Sequence, residues 1–408
     1  MRVPRFLVDI GPLRRNHDFR LLYSGQLISL LGSNLTVVAV PFQVYSDTHS
    51  SLWVGLASLL QLPFLIGGSL WGGAMGDRRD KRTLMLVSSM FLALLSAGLA
   101  INARVDHQLA YVLILAALAA GFAGFSNPLR TAAIPTLVAS DELMSAYSLN
   151  QVSVNGAAVV GPALAGILIA SVGLFSCYMF DAMSFVILTV LTSLIAPLPP
   201  SGEHSATKTL RAIGDGFRYV RSHVVAQAIY LVDLNAMVFG LPRALFPAVA
   251  LTMYHGGPRT LGLLYAAPGA GALVMAVMTG WIVRVHRRGR LVAVVVMAWG
   301  GAMALFGIVH LIWFGLSCLA VAGAMDVISA VLRNTILQTA ITNEYRSRIS
   351  SIQMAVVTGG PRLGDVESGV VANFTSTEFS IVSGGVACIL GVIILMRWRP
   401  TFWSSDNL

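Results

Sequence analysis

The stretch TGGPRLGDVESGV, residues 358–370, carries Arg362, Asp365 and Glu367 within six positions. Around it the chain is apolar or small, with ISSIQMAVV before and VANF after. The whole segment is long enough to cross a bilayer, so its charges need a physical reason. Four more ionisable side chains, Asp181, Asp233, Arg243 and Asp326, also fall inside long apolar runs. An ionised group at the centre of a membrane helix costs about 3 kcal/mol. Seven uncompensated would cost roughly 20 kcal/mol, against a net fold stability of about 5–15 kcal/mol. They must therefore be paired, hydrated or protonated, facing a bundle interior or a watery cavity.

Working outward, the composition agrees with a membrane chain. Of 408 residues, 56% are hydrophobic and 11% charged, with mean hydropathy +0.76. An ordinary soluble domain carries roughly 25% charged residues. Apolar runs near the roughly 20 residues that span hydrocarbon as helix recur about twelve times. The approximate spans are 19–45, 52–75, 83–102, 109–128, 144–170, 173–197, 224–254, 259–283, 291–310, 312–332, 348–373 and 379–396. The longest are expected to be tilted or interrupted. The N-terminus breaks its apolar character with five arginines and reads as a cytoplasmic lead-in, not a cleavable signal.

The net charge of +9 is not a nucleic-acid signal, because of where the cations fall. Of 27 Lys and Arg, 23 lie at the termini and in alternate loops, 77–82, 129–143, 198–223, 284–290 and 333–348. Arg104 and Arg259 alone fall in the opposite set of loops. This positive-inside asymmetry predicts a multi-pass protein with both termini in the cytoplasm. Cys177, Cys318 and Cys388 sit in separate apolar runs with no metal or redox spacing. The eight histidines are scattered and no Gly-rich phosphate loop occurs, so no cofactor, metal site or enzyme activity is expected.

The longest connection, 198–223, divides the chain into an N-terminal six-helix bundle, 1–197, and a C-terminal one, 224–408. Within it Leu210, Ile213, Phe217 and Val220 fall at helical spacing, an amphipathic segment suited to a membrane surface. The halves echo each other. FSNPLRTAAIPTLV (125–138) resembles ISAVLRNTILQTAI (328–341), placing Leu before Arg130 and before Arg333. A Gly-Pro pair follows at 161–162 and again at 360–361. GAMGDRRDKR (73–82) is echoed by GWIVRVHRRG (280–289). Duplicated six-helix units build transporters whose site lies between the halves.

The candidate chemistry follows from the buried charges. Asp233, Glu367, Asp365, Asp181 and Asp326 are candidates for taking up a proton. Arg362 and Asp365, three residues apart, can touch on one helix face. Gly359, Gly360 and Pro361 weaken the helix before them, since Pro removes a backbone donor. Asp233 and Arg243, ten residues apart, cannot pair unless the helix breaks at Gly240 or Pro242. Arg243 is a candidate for holding an anionic or oxygen-rich substrate, or an anchor at the outer interface. Asn34 and Gln26 in span one are polar but cannot titrate. Arg130 and Arg333 are read as gate residues at the loop ends. Gly161, Pro162 and Gly166 permit close helix contact and a bend in span five.

These residues carry a family resemblance. Gly73, Asp77, Arg78, Lys81 and Arg82 resemble the signature of the major facilitator superfamily between spans two and three, with Asp80 where that pattern has Gly. Gly161, Pro162 and Gly166 resemble the antiporter motif of its exporters. SNPLRTAAIPTLV, FDAMSF, FGLPRALFPA and GPRLGD resemble the drug:proton antiporter branch that includes siderophore and macrolide exporters. The resemblance implies an all-α membrane fold of twelve helices in two pseudo-symmetric bundles. It implies proton-driven export of a bulky organic molecule across the bacterial plasma membrane by alternating access, with Asp77 latching the cytoplasmic side. The expected partners are a small-molecule substrate, protons and the lipid bilayer, for a monomer that binds no nucleic acid. Span one lacks the acid that some drug antiporters place there. Facilitated uptake, a polytopic enzyme or a non-transporting receptor remain the alternatives.

Overall fold

The computed structural model describes residues 9–105, 108–200, 220–221, 223–285, 287–340, 346–398 and 403. Among these there is no strand. After a one-turn helix, Gly11–Arg15, the long helices are α1 (His17–Thr48), α2 (Ser51–Gly76), α3 (Lys81–Val105), α4 (Leu109–Leu137), α5 (Leu143–Val172) and α6 (Leu174–Ser193). They continue as α7 (Val224–Phe239), α8 (Gly257–Met278), α9 (Arg288–Ile308), α10 (Ile312–Ala340), α11 (Arg346–Phe374) and α12 (Thr377–Trp398). Eleven helices among the described residues are long and apolar enough to cross a membrane, α7 being counted with its continuation to Met253. The exception is α11, expected from sequence as the remaining span. Its 29 residues suffice in length, but its charges lower its hydropathy. The amphipathic segment expected within 198–223 falls largely on 201–219, outside the described residues.

Helix ends follow local chemistry. Gly173 joins α5 to α6 at φ 84°, a conformation open to glycine, and its N–H bonds back to the carbonyls of Leu168 and Ile169. After Phe239, α7 stops at Gly240–Leu241–Pro242, because Pro lacks a donor and disfavours helix in the residue before it. A 3-10 turn, Arg243–Leu245, a short α turn and a π turn, Val249–Met253, complete that span. By contrast α11 runs unbroken through Pro361, so the expected weakening at 359–361 is not observed.

The chain forms two compact units, one of Met1–Gln43 with Leu60–Ala206, the other of Val44–Leu59 with Thr207–Leu408. In the first, α3 packs along α4 and α6, and α5 along α6. In the second, α9 packs along α10 and α12, and α11 along α12. The two sets are related by adding six to each helix number. The finer contact repeats too. A Cβ added at Gly68 would strike the carbonyl of Gly121, and one at Gly124 that of Leu65. In the second unit Gly271 meets the Ala320 carbonyl and Gly323 that of Pro268. Both are close backbone approaches that small residues allow. From α2 to α8 the offset is 203; from α4 to α10 it is 199, one helical turn short of the 203 that relates Arg130 to Arg333.

Candidate functional site

In the first unit the polar centre is Asp181 on α6, 2% exposed. One carboxylate oxygen accepts hydrogen bonds from Thr36 Oγ1 on α1 at 2.7 Å and Ser96 Oγ on α3 at 2.8 Å. The other has no hydrogen-bond partner among the described residues. Gly32 lets α1 approach, since a Cβ there would lie 2.8 Å from that oxygen. No cation pairs with this acid among the described residues. Hydroxyls can both donate and accept, so Thr36 and Ser96 can serve either protonation state. The apolar runs on α1 and α3 gave no reason to single out these two hydroxyls. The signal available was only that they interrupt those runs.

The signature loop organises the end of α3. Asp80 immediately precedes the helix and accepts from Thr83 N–H at 3.1 Å and Thr83 Oγ1 at 2.8 Å, while its other oxygen accepts Leu198 N–H at 2.6 Å. Its partial burial would raise its pKa, but these hydrogen bonds outweigh that and hold the carboxyl below the usual range. Asp80 is thus a helix cap and a tie. Lys81 is buried and its Nζ donates to the Pro199 carbonyl at 3.1 Å. Arg82 donates through Nε to the Thr192 carbonyl at 3.3 Å and also bonds the Ser193 carbonyl. Orientation alone was expected to explain the loop's cations. Instead Lys81 and Arg82 satisfy carbonyls at and beyond the C-terminal end of α6, where helix geometry leaves acceptors open. Asp77 and Arg78 form no ion pair among the described residues. Gly73 faces open space.

Gly161 is buried against Asn34 on α1, as close packing requires, and Pro162 and Gly166 are buried beside it in an unbroken α5. Asn34 Nδ2 turns back to its own helix, donating to the Leu30 carbonyl at 2.8 Å. Gln26 is buried with Nε2 unpartnered. Glu142, also buried, accepts from Arg15 at 3.0 Å and Asn16 at 2.8 Å.

In the second unit Asp233 on α7 and Arg333 on α10 form a direct ion pair with side chains 1% and 3% exposed. Asp326, two turns earlier on α10 and 47% exposed, lies 4.0 Å from the same guanidinium. Two acids thus share one cation. Asp233 Oδ2 and Arg333 Nε have no partner among the described residues, so the pair is incompletely satisfied. Reading Arg333 and Arg130 as loop residues needs correction: both lie inside helices, α10 and α4. Arg130 has no acid partner among the described residues.

Asp365 on α11 does not pair with Arg362, contrary to expectation. Its oxygens accept Ser58 Oγ at 2.6 Å and Ala244 N–H at 3.0 Å. Arg362 instead donates to the Thr358 carbonyl at 2.8 Å, one turn back on its own helix. Glu367 is half-buried, with no ion pair or hydrogen bond among the described residues. Arg243 is exposed, at the start of the 3-10 turn, and forms no ion pair, although it lies within electrostatic range of Asp326 and Asp365.

A cavity of about 740 Å³ opens between α2, α3 and α4, lined by Phe64, Trp71, Phe91, Phe122 and Phe125 with Arg79 and Asp80 at one end. Neither the candidate acids nor Arg243 line it. The candidate residues therefore lie on helix packing seams and not in this apolar cleft.

Known proteins give this geometry its family. A model of the family described as transmembrane secretion effector matches residues 8–408. The chain is 30% identical over 395 residues to the enterobactin exporter EntS of Citrobacter koseri, covering 96% of this chain and 94% of that protein. It is 28% identical over 420 residues to the enterobactin exporter of Escherichia coli, covering 100% of both. Among solved structures, the nucleoside transporter NupG matches with TM-score 0.74 at 11% identity, covering 95% of this chain and 100% of that one. A bacterial homologue of the lysosomal transporter Spinster matches with TM-score 0.73 at 12% identity, covering 98% and 99%. At such identities these structures speak to the fold alone. The chain belongs to the transmembrane secretion effector family and is a multi-pass membrane transporter of the major facilitator fold, not an enzyme.

Proposed function

We propose that this protein exports a catecholate siderophore of the enterobactin type across the bacterial plasma membrane, driven by inward protons. The substrate class rests on end-to-end similarity to the enterobactin exporters. The proton coupling rests on one observation, the buried Asp181 carboxyl held by two hydroxyls and by no cation among the described residues. An acid without a countercharge is poised to exchange a proton when a gated path hydrates it. Asp233 and Asp326 compete for Arg333, so protonation of one shifts the guanidinium to the other. Glu367 is a further acid that the transport cycle can load. Arg243 would contact the oxygen-rich substrate. The protein would act as a monomer with both termini cytoplasmic and bind no nucleic acid. Its two six-helix bundles would alternate access, with Asp77 in the latch role that the superfamily signature implies.

The test is efflux of enterobactin from proteoliposomes with an imposed proton gradient. Wild-type protein should export against its concentration gradient and stop when a protonophore is added. Export indifferent to the proton gradient would overturn the coupling. Unchanged siderophore secretion by iron-starved cells lacking the protein, measured by mass spectrometry, would overturn the substrate.

A further inference from the structure

We propose that Asp365 is a positioning residue: together with Tyr265 it clamps one peptide unit at the break in α7 and so fixes how Arg243 is displayed. The break leaves the Ala244 N–H without a backbone acceptor among the described residues. Arg243 N–H reaches the Leu241 carbonyl at 2.9 Å and Leu245 N–H the Pro242 carbonyl at 3.1 Å. Between them lies the peptide linking Arg243 to Ala244, and both of its polar groups are held by side chains. Its N–H, on Ala244, donates to Asp365 Oδ1 at 3.0 Å. Its carbonyl, on Arg243, accepts from the Tyr265 hydroxyl on α8 at 3.2 Å and also from the Phe246 N–H that closes the turn. A peptide bond is planar, so restraining both edges fixes its orientation and with it the direction in which the Arg243 side chain leaves the backbone.

The clamp is itself braced. The second oxygen of Asp365 is taken by Ser58 Oγ, and Gly55 lies directly beneath the Asp365 carbonyl. Tyr265 is set edge-on to Phe246, with ring centroids 5.0 Å apart. Asp365 spends its acceptors on the backbone and on Ser58 and not on the neighbouring guanidinium. Arg243 therefore remains exposed and without an ion pair among the described residues, available to oxygen-rich groups of a substrate. This assignment rests on the reading of Arg243 as a substrate contact, and it gives Asp365 a role other than carrying the coupled proton.

The experiment compares Asp365→Asn with Asp365→Ala in purified full-length protein. Asn keeps an acceptor for the Ala244 N–H, and Ser58 can rotate its hydroxyl to accept from the new amide. Amide hydrogen exchange across 240–248 should rise in Asp365→Ala and stay at the wild-type rate in Asp365→Asn. With enterobactin as probe, Asp365→Ala and Arg243→Ala should each raise KM by roughly tenfold with a smaller change in turnover, while Asp365→Asn stays near wild type. Loss of transport in Asp365→Asn equal to that in Asp365→Ala would overturn the proposal, since charge and not acceptor geometry would then matter. Unaltered exchange in Asp365→Ala would overturn it too. If exchange responds but Arg243→Ala leaves KM unchanged, the clamp stands and the substrate reading of Arg243 falls. Should Asp365→Ala fail to accumulate, Tyr265→Phe removes the other restraint and must raise the same exchange.

Discussion

The two units share a packing plan but not a polar centre. Both use glycines to bring backbones together, Gly68 with Gly124 in one and Gly271 with Gly323 in the other. Both carry a Leu-Arg pair on equivalent helices, ending in Arg130 and Arg333. Yet Arg333 is sealed against Asp233, while Arg130 has no acid partner among the described residues. The first unit buries an acid, Asp181, with no cation partner among the described residues; the second sets Asp233 and Asp326 on one cation, Arg333. Packing geometry is thus retained on both sides, while charge has diverged. The first unit's buried acid is held by hydroxyls, and the second unit's by a guanidinium.

Four tests would break or sharpen this contrast. The largest effect is expected for Arg333→Ala, which leaves a buried carboxylate unpaired and should cost about 3–5 kcal/mol in unfolding experiments. Arg130→Ala should cost under about 1 kcal/mol by the same measurement, and equal losses would erase the difference between the units. Next, Gly68→Val and Gly271→Val force a side chain onto a backbone carbonyl and should each cost about 1–3 kcal/mol. Similar losses of thermal stability would support equivalent packing roles, and a large disparity would undo them. Third, Asp181→Asn should slow proton-driven export by roughly tenfold or more without loss of folded protein, because the neutral amide cannot carry the proton. Efflux at the wild-type rate in vesicles would remove Asp181 from the coupling.

The smallest effect concerns the helix starts. Asp80 caps α3, whereas the equivalent position before α9 is Arg287, whose side chain makes no cap. Asp80→Ala should cost about 1 kcal/mol at neutral pH. The folded-state pKa of Asp80 is depressed, so this contribution is present above the ordinary carboxylate pKa, near 4. It is lost as pH falls through the lower folded value. The difference between wild type and variant should therefore shrink in acid; a constant difference would mean that the charge of Asp80 does not matter.

Much of this was legible along the chain. Apolar run length announced the helices, and the break at Gly240–Pro242 could be read from proline chemistry. The repeat was visible in GAMGDRRDKR and in the two Leu-Arg pairs. Partners were another matter. Arg362 and Asp365 have the spacing of an intrahelical pair, yet Asp365 found Ser58 and a backbone N–H, which no spacing rule points to. Lys81 and Arg82 looked like orientation markers until the carbonyls around the end of α6 came into view. Arg130 and Arg333 looked like loop residues because hydropathy falls where a helix carries an arginine.

The amino-acid sequence by itself determined that this chain lives in a membrane and that its apolar segments repeat, though it predicted twelve spans where eleven helices among the described residues are long and apolar enough. These follow from the cost of hydrocarbon for polar groups, which acts locally on each run of residues. Only the tertiary structure decided which acid keeps a cation, which is left with hydroxyls and which holds a peptide in place. Those outcomes depend on groups from 85 to 307 residues apart meeting at a helix seam, where a few tenths of a nanometre separate a hydrogen bond from an unpaired charge.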